Sequence, residues 1–175
     1  NVKKAARSER SYSHYSARWK GNMVHKYAEL MALSDMNKIH HTDIGPQWDE
    51  YLQEYSDQLT DEDEKSQLAM DAVVCEAVAL KMYNLARQPL NSAPHVLQVE
   101  HAEQRFAAVL PGTKTWITCQ PDLICRDGSD IVIVDYKTLS SSNLVRDAQN
   151  YRHLPSMYLY ALAVTKGFVA RKVEQ

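Results

Sequence analysis

A chain of 175 residues, 45% hydrophobic and 24% charged, has room for one well-buried domain and no need of a second. A formal net charge of −2 gives no argument for a nucleic-acid partner from total charge, and no run approaches the roughly 18 to 20 apolar residues of a membrane span. Three cysteines (Cys75, Cys119, Cys125) without C-x-x-C spacing argue against a disulfide framework or a zinc site and fit a reducing, intracellular compartment.

The chain opens at Asn1 rather than Met and without a signal-peptide pattern, as a trimmed piece would. Charge is unevenly spread. Residues 1 to 20 carry six basic side chains (Lys3, Lys4, Arg7, Arg10, Arg18, Lys20) against the single acid Glu9, and residues 49 to 71 carry nine acids and one Lys65. The first 16 residues read as a basic arm, able to track a phosphate backbone or simply solvated.

"SARWKGNMVHKYAELMALSDM" predicts a helix, with Met23, Tyr27, Leu30 and Met31 at helical spacing and His25 one turn from Glu29. "KIHHTDIGPQ" reads as a loop punctuated by Gly45-Pro46, and its His40-His41 pair has no partner spacing and receives no role. "QWDEYLQEYSDQL" is a short amphipathic helix. A long one follows in "TDEDEKSQLAMDAVVCEAVALKMYNLARQP", with Thr60 as N-cap, acids at the positive end of the helix dipole, and Pro89 past the stop. Trp19, Trp48 and Trp116 read as packing groups.

The period then changes. "HVLQVEHAEQRFAAVL", "TKTWITCQPDLIC" and "DIVIVDYKT" predict three strands, separated by turns at Pro111-Gly112 and Asp127-Gly128. A polar loop leads into a helix through "SMYLYALAV", and "FVARKVEQ" offers one more short strand. The class is α/β or α+β: helices, an antiparallel meander, a helix, in a single domain over residues 1–175.

Within residues 130–138, Ile131, Ile133, Asp135 and Lys137 share one face, and Val132, Val134 and Tyr136 the other. Four apolar residues in a row predict a strand buried on both faces. Asp135 and Lys137 alone would be no more than an ion pair at a strand end. Asp122, in the preceding strand, changes this: the turn at Asp127 to Ser129 brings both carboxylates to the same end of the sheet. Two carboxylates repel unless a cation lies between them, and hard oxygen donors suit Mg²⁺ or Mn²⁺. A nearby lysine adds a positive group to hold or deprotonate the attacking water and to offset charge on phosphorus.

Pro121-Asp122 and Asp135-Tyr136-Lys137 together form a PD…D-x-K pattern, and the chain resembles the PD-(D/E)XK nuclease superfamily, most of all its RecB/RecE-like exonuclease branch. "GNMVH" from Gly21 to His25 matches that branch's G-x3-H, "EQRF" from Glu103 to Phe106 its E-x2-F, and "DYKT" ending at Thr138 its D-x-K-T. Where the branch carries Q-x3-Y, this chain has Ser156 in place of Gln, with Tyr160 as the tyrosine.

The resemblance implies a restriction-endonuclease-like core, a central mixed sheet with an antiparallel meander flanked by helices. It implies Asp122, Asp135, Lys137 and Glu103 as catalytic residues, with Glu100 the competitor of Glu103 should the register differ. His25, Asp122, Asp135 and the Tyr136 backbone carbonyl would hold Mg²⁺, for which Mn²⁺ substitutes. Glu29 is placed to orient His25. Thr138, Arg152, Ser156 and Tyr160 fall on the substrate side, Thr138 equally placed to cap its loop and Tyr160 equally placed to pack. The cysteines of the branch's iron–sulfur members are absent, so no cluster is expected.

The implied activity is metal-dependent hydrolysis of linear double-stranded DNA by an exonuclease of recombination or repair, cytoplasmic and bacterial or phage-encoded. A single-strand annealing protein and a homo-oligomeric ring are the partners it implies. A structure- or site-specific endonuclease with the same metal site is the first alternative. A catalytically silent nuclease fold that binds nucleic acid or serves in an assembly is the second.

Overall fold

A computed structural model describes residues 12–89, 95–137, 155–166 and 168–169. Helix α1 (Tyr12–Asp35) buries Met23, Val24, Ala28, Leu30 and Ala32, and half-buries Tyr27 and Met31 against the same core. It packs along α3 (Glu62–Ala86), whose Leu68, Ala72, Cys75, Ala79 and Tyr83 recur every three or four residues on the inner side. Tyr83 donates a 2.5 Å hydrogen bond to Asp35, which also pairs with Arg87, so the two helices are tied at their C-terminal ends. The cap of α3 lies one residue later than the sequence suggests: the Asp61 carboxylate, not Thr60, accepts from the N–H groups of Asp63 and Glu64.

Between these helices, a one-turn 3₁₀ segment (His41–Asp43) capped by His40 leads into α2 (Ile44–Ser56). Gly45-Pro46 is therefore not a loop but the first turn of α2. The early N–H groups of a helix have no intrahelical acceptor, so Pro46 gives up nothing there.

The strands are β1 (Gln98–Ala102), β2 (Phe106–Val109), β3 (Trp116–Cys119), β4 (Leu123–Asp127), β5 (Asp130–Val134) and β6 (Phe168–Val169), with α4 (Pro155–Lys166) before the last. Five strands stand where the alternation predicts three, because the first two predicted strands each bend and divide. The halves form two three-stranded sheets, β1-β4-β5 and β3-β2-β6, with every described pairing antiparallel. Pairing passes through the bend without a slip: Ala102 faces Leu123 on one side, and Phe106 faces Cys119 on the other. One long hairpin thus turns a corner at residues 103–105 and 120–122. Pro121 has no N–H for a ladder, which gives a reason for the break on one arm.

Strand β4, not β5, is the one buried on both faces. Leu123 and Cys125 join the core under α1 and α3, while Ile124 joins a second cluster with Phe106, Ala108, Cys119 and Ala163 of α4. Among the described residues β5 has β4 as its one neighbour. Val132 and Val134 pack inward, but Ile131 is 40% exposed. The three cysteines are buried and unbridged, and Trp48 is buried, whereas Trp116 is 59% exposed. Gly112 and Gly128 take positive φ in the two hairpin turns where the sequence places them. The α+β, restriction-endonuclease-like class is the one the sequence leads to expect, but among the described residues the strands form two antiparallel sheets in place of the expected central mixed sheet.

Candidate metal centre

The corner of the long hairpin brings the acids together. Glu103 sits at φ +47°, a left-handed conformation costly for a side chain with a Cβ, and its N–H donates to the Asp122 carbonyl oxygen at 3.0 Å. Glu103 and Asp122 therefore face each other across the bend, where neither belongs to a regular ladder. Helix α1 lies over this corner and lowers His25 between them.

His25 Nδ1 is 2.9 Å from Asp122 Oδ1 and 3.8 Å from Glu103 Oε1. One donor atom from each of the three residues lies within 4.8 Å of the others. Asp122 is buried, at 6% exposure, and such a carboxylate needs partners to remain charged. It has two: His25 on Oδ1 and the Tyr136 backbone N–H, which donates to Oδ2. Gln120 Nε2 donates to Glu103 Oε2 at 2.9 Å and steadies the second carboxylate. The His25 ring stands edge-on to the Tyr136 ring, centroids 5.8 Å apart.

Hydrogen bonds to Asp122 and then Glu103 raise the His25 imidazole to about 9, outweighing the burial that would lower it. The two carboxylates thus draw positive charge to this point. One imidazole nitrogen and two carboxylates, all hard or borderline donors on one side of an open cleft, fit a divalent cation such as Mn²⁺ or Mg²⁺.

Asp135 and Lys137 lie just past the end of β5. Asp135 is not one of the three residues whose donor atoms converge; its carboxylate holds the Lys137 ammonium at 2.5 Å. Burial would lower the Lys137 pKa, but the hydrogen bond to Asp135, aided by the charges of Asp135 and Asp122, moves it upward on balance. Tyr160 of α4 is half-buried beside this pair. Burial pushes its hydroxyl up first, and the Asp135 charge adds to the shift. It also packs against the α4 cluster, so the packing role is present whatever its role toward substrate.

Two candidates fall elsewhere. Glu29 pairs with Lys26 at 2.9 Å and does not orient His25. Glu100 is held bidentately by Arg126, at 2.5 and 2.9 Å, which leaves Glu103 as the acid at the corner. Thr138, Arg152, the Ser156 side chain and Lys3, Lys4, Arg7 and Arg10 of the basic arm lie outside the described residues.

Sequence reading passes over Gln120, Arg18, Asn22 and Tyr51. With His25, Lys26, Glu29 and Glu103 these line a cleft of about 640 Å³ that opens beside the three donors. The available signal was positional: Asn22 and Arg18 lie three and seven residues before His25, on its helix face.

No curated protein and no solved structure matches the chain. The profile of the PD-(D/E)XK nuclease superfamily matches residues 2–175, and the chain belongs to that superfamily.

Proposed function

We propose that this protein is a metal-dependent deoxyribonuclease that hydrolyses linear double-stranded DNA from its ends. The observation that carries the reading is the convergence of His25, Glu103 and Asp122 at one corner, with the Asp135–Lys137 pair beside them, in a chain of this superfamily. His25, Asp122, Asp135 and the Tyr136 carbonyl would hold Mg²⁺ or Mn²⁺, with Glu103 completing the acidic set. The chemistry such a cation would supply is polarisation of a phosphoryl oxygen and activation of water as a nucleophile.

The chain's own groups do the rest. The Tyr136 N–H and Gln120 fix the rotamers of Asp122 and Glu103, so that little reorganisation is needed when charge develops. Lys137, held charged by Asp135, donates hydrogen bonds to the attacking water and to the phosphate. The same lysine positions and activates the attacking water. Tyr160, Arg152 and Ser156 are assigned to the substrate side by resemblance, as is Thr138. The RecB/RecE-like motifs likewise support a partnership with a single-strand annealing protein and a ring of copies. Among the described residues no helix is long and apolar enough to cross a membrane.

The test is digestion of end-labelled linear duplex beside closed circular plasmid, with Mg²⁺ or with EDTA, using wild type and Lys137→Ala. Loss of linear DNA alone, dependent on metal and on Lys137, is expected, and the label then gives the polarity. Cutting of the circle would make the enzyme an endonuclease. Survival of both substrates at high enzyme would leave a silent nuclease fold.

A further inference from the structure

The cleft beside the metal centre has a composition that catalysis at the three donors does not account for. Arg18, Asn22, His25 and Glu29 follow one another at intervals of four, three and four residues, so one face of α1 forms its wall. Along that face about 1.5 Å of rise per residue puts Arg18 roughly 10 Å from His25, a distance equal to about three stacked nucleotides at 3.4 Å each.

The basic residues of α1 differ in how their charge is used. Lys20 is bound to Asp71 at 3.0 Å and Lys26 to Glu29 at 2.9 Å. Arg18, exposed at the rim of the cleft, has no acidic partner among the described residues.

Tyr51 of α2 brings an aromatic ring to the lining of the cleft, and its neighbours hold it in place. Tyr51 stacks on Trp48 with centroids 5.8 Å apart and an interplanar angle of 20°, and its hydroxyl bonds Tyr55 at 2.9 Å. Asn22 Nδ2 donates to the same Tyr55 hydroxyl at 3.3 Å, and Trp19 meets the Tyr55 ring edge-on at 4.9 Å. A guanidinium without an acid, a fixed aromatic ring and side-chain amides are the groups that hold a nucleic-acid strand: charge for phosphate, a π face for the base.

We infer that this cleft is a strand-binding subsite. The cut strand, on one side of the scissile phosphate, runs along α1 from His25 toward Arg18, with one phosphate on the Arg18 guanidinium and one unpaired base against Tyr51. This rests on the nuclease reading of the metal centre and extends it: at least one nucleotide beside the cut is separated from its complement when bound. Arg18 is here a positioning residue, remote from the reacting atoms.

The experiment measures binding of fluorescein-labelled single-stranded and duplex oligonucleotides in EDTA over a range of salt, for wild type, Arg18→Ala and Arg18→Lys. Mn²⁺ titration calorimetry and steady-state cleavage are run on the same proteins. Arg18→Ala is expected to weaken binding about 10-fold and to lower the slope of log affinity against log salt by about one. KM rises with kcat and Mn²⁺ affinity unchanged, and Arg18→Lys restores most of the slope.

The second arm uses an oligonucleotide with a single abasic position stepped along the strand. One position is expected to bind several-fold more weakly than its neighbours, and Tyr51→Leu removes that difference. Unaltered affinity and salt slope in Arg18→Ala, in a protein that still binds Mn²⁺ and cuts DNA, overturns the subsite and leaves the nuclease intact. A wild type that neither binds Mn²⁺ nor cuts DNA overturns both.

Discussion

Lys137 and Tyr136 are neighbours in the D-x-K segment and act through different atoms. The Lys137 ammonium projects to Asp135, and its charge is the property the proposed reaction uses. Lys137→Ala is therefore expected to lower kcat by about 10²- to 10³-fold with little change in KM, as for other charge-stabilising donors. Steady-state cleavage of a short duplex checks this. A loss confined to KM would show that Lys137 serves binding instead. Tyr136 works through its backbone N–H on Asp122, while its hydroxyl is buried with no hydrogen-bond partner among the described residues. An unpaired buried hydroxyl is unfavourable, so Tyr136→Phe should leave stability unchanged or raise it by about 1 kcal/mol, with cleavage retained. Urea unfolding decides: a loss of more than that would mean the hydroxyl is in fact satisfied.

At the level of elements, the β4–β5 turn sets Asp135 against Asp122. Gly128 occupies that turn at φ +60° with nothing within 4 Å of where a Cβ would stand. Its penalty for substitution is thus conformational only, and Gly128→Ala should cost about 1 kcal/mol in chemical denaturation while activity persists. A much larger loss would show that the hairpin fails to pair. Such turns were legible because glycine announces them. His25, Glu103 and Asp122, whose donor atoms converge, were legible as candidates because short motifs carry their chemistry in residue type and spacing. The corner was not. "HVLQVEHAEQRFAAVL" carries no glycine or proline to mark a break, and Glu103 holds a left-handed backbone without the glycine that usually marks one. Helix α3 hid its inner face in a similar way. Met70, Val73 and Val74 are exposed at 58, 69 and 61%, so apolar residues circle the helix and periodicity does not choose a side. The Arg18–Tyr51 cleft depends on how α1 and α2 approach the corner, a tertiary relation that no local pattern encodes.

For the whole molecule, occupancy of the metal centre and folding are linked. A cation bound by the native state alone adds about 2.7 kcal/mol at a hundred times its Kd. Wild type should show a Mn²⁺-dependent rise in Tm that His25→Ala largely abolishes; an equal rise in the variant would place the ion elsewhere. On β1, the Glu100 carboxyl is held below its ordinary range by Arg126. A depressed carboxylate contributes stability above its unfolded pKa and loses it as pH falls through the folded value. Glu100→Gln should therefore soften the acid limb of the stability profile by less than about 1 kcal/mol, seen as a smaller drop in urea midpoint between pH 7 and pH 3. An acid limb as steep as the wild type's would assign that loss to other carboxylates.

The bent hairpin carries a last consequence, for tolerance to change. Because pairing keeps one offset from Ala102–Leu123 through Phe106–Cys119, a single residue inserted between the corner and the tip on one arm alone must either bulge or shift the pairing. A shift that reached the corner would separate Glu103 from Asp122. Residues added at Pro111-Gly112 displace no pair at all. The distal tip is thus the place where this chain can lengthen, diversify or carry a label while the metal centre stays in step.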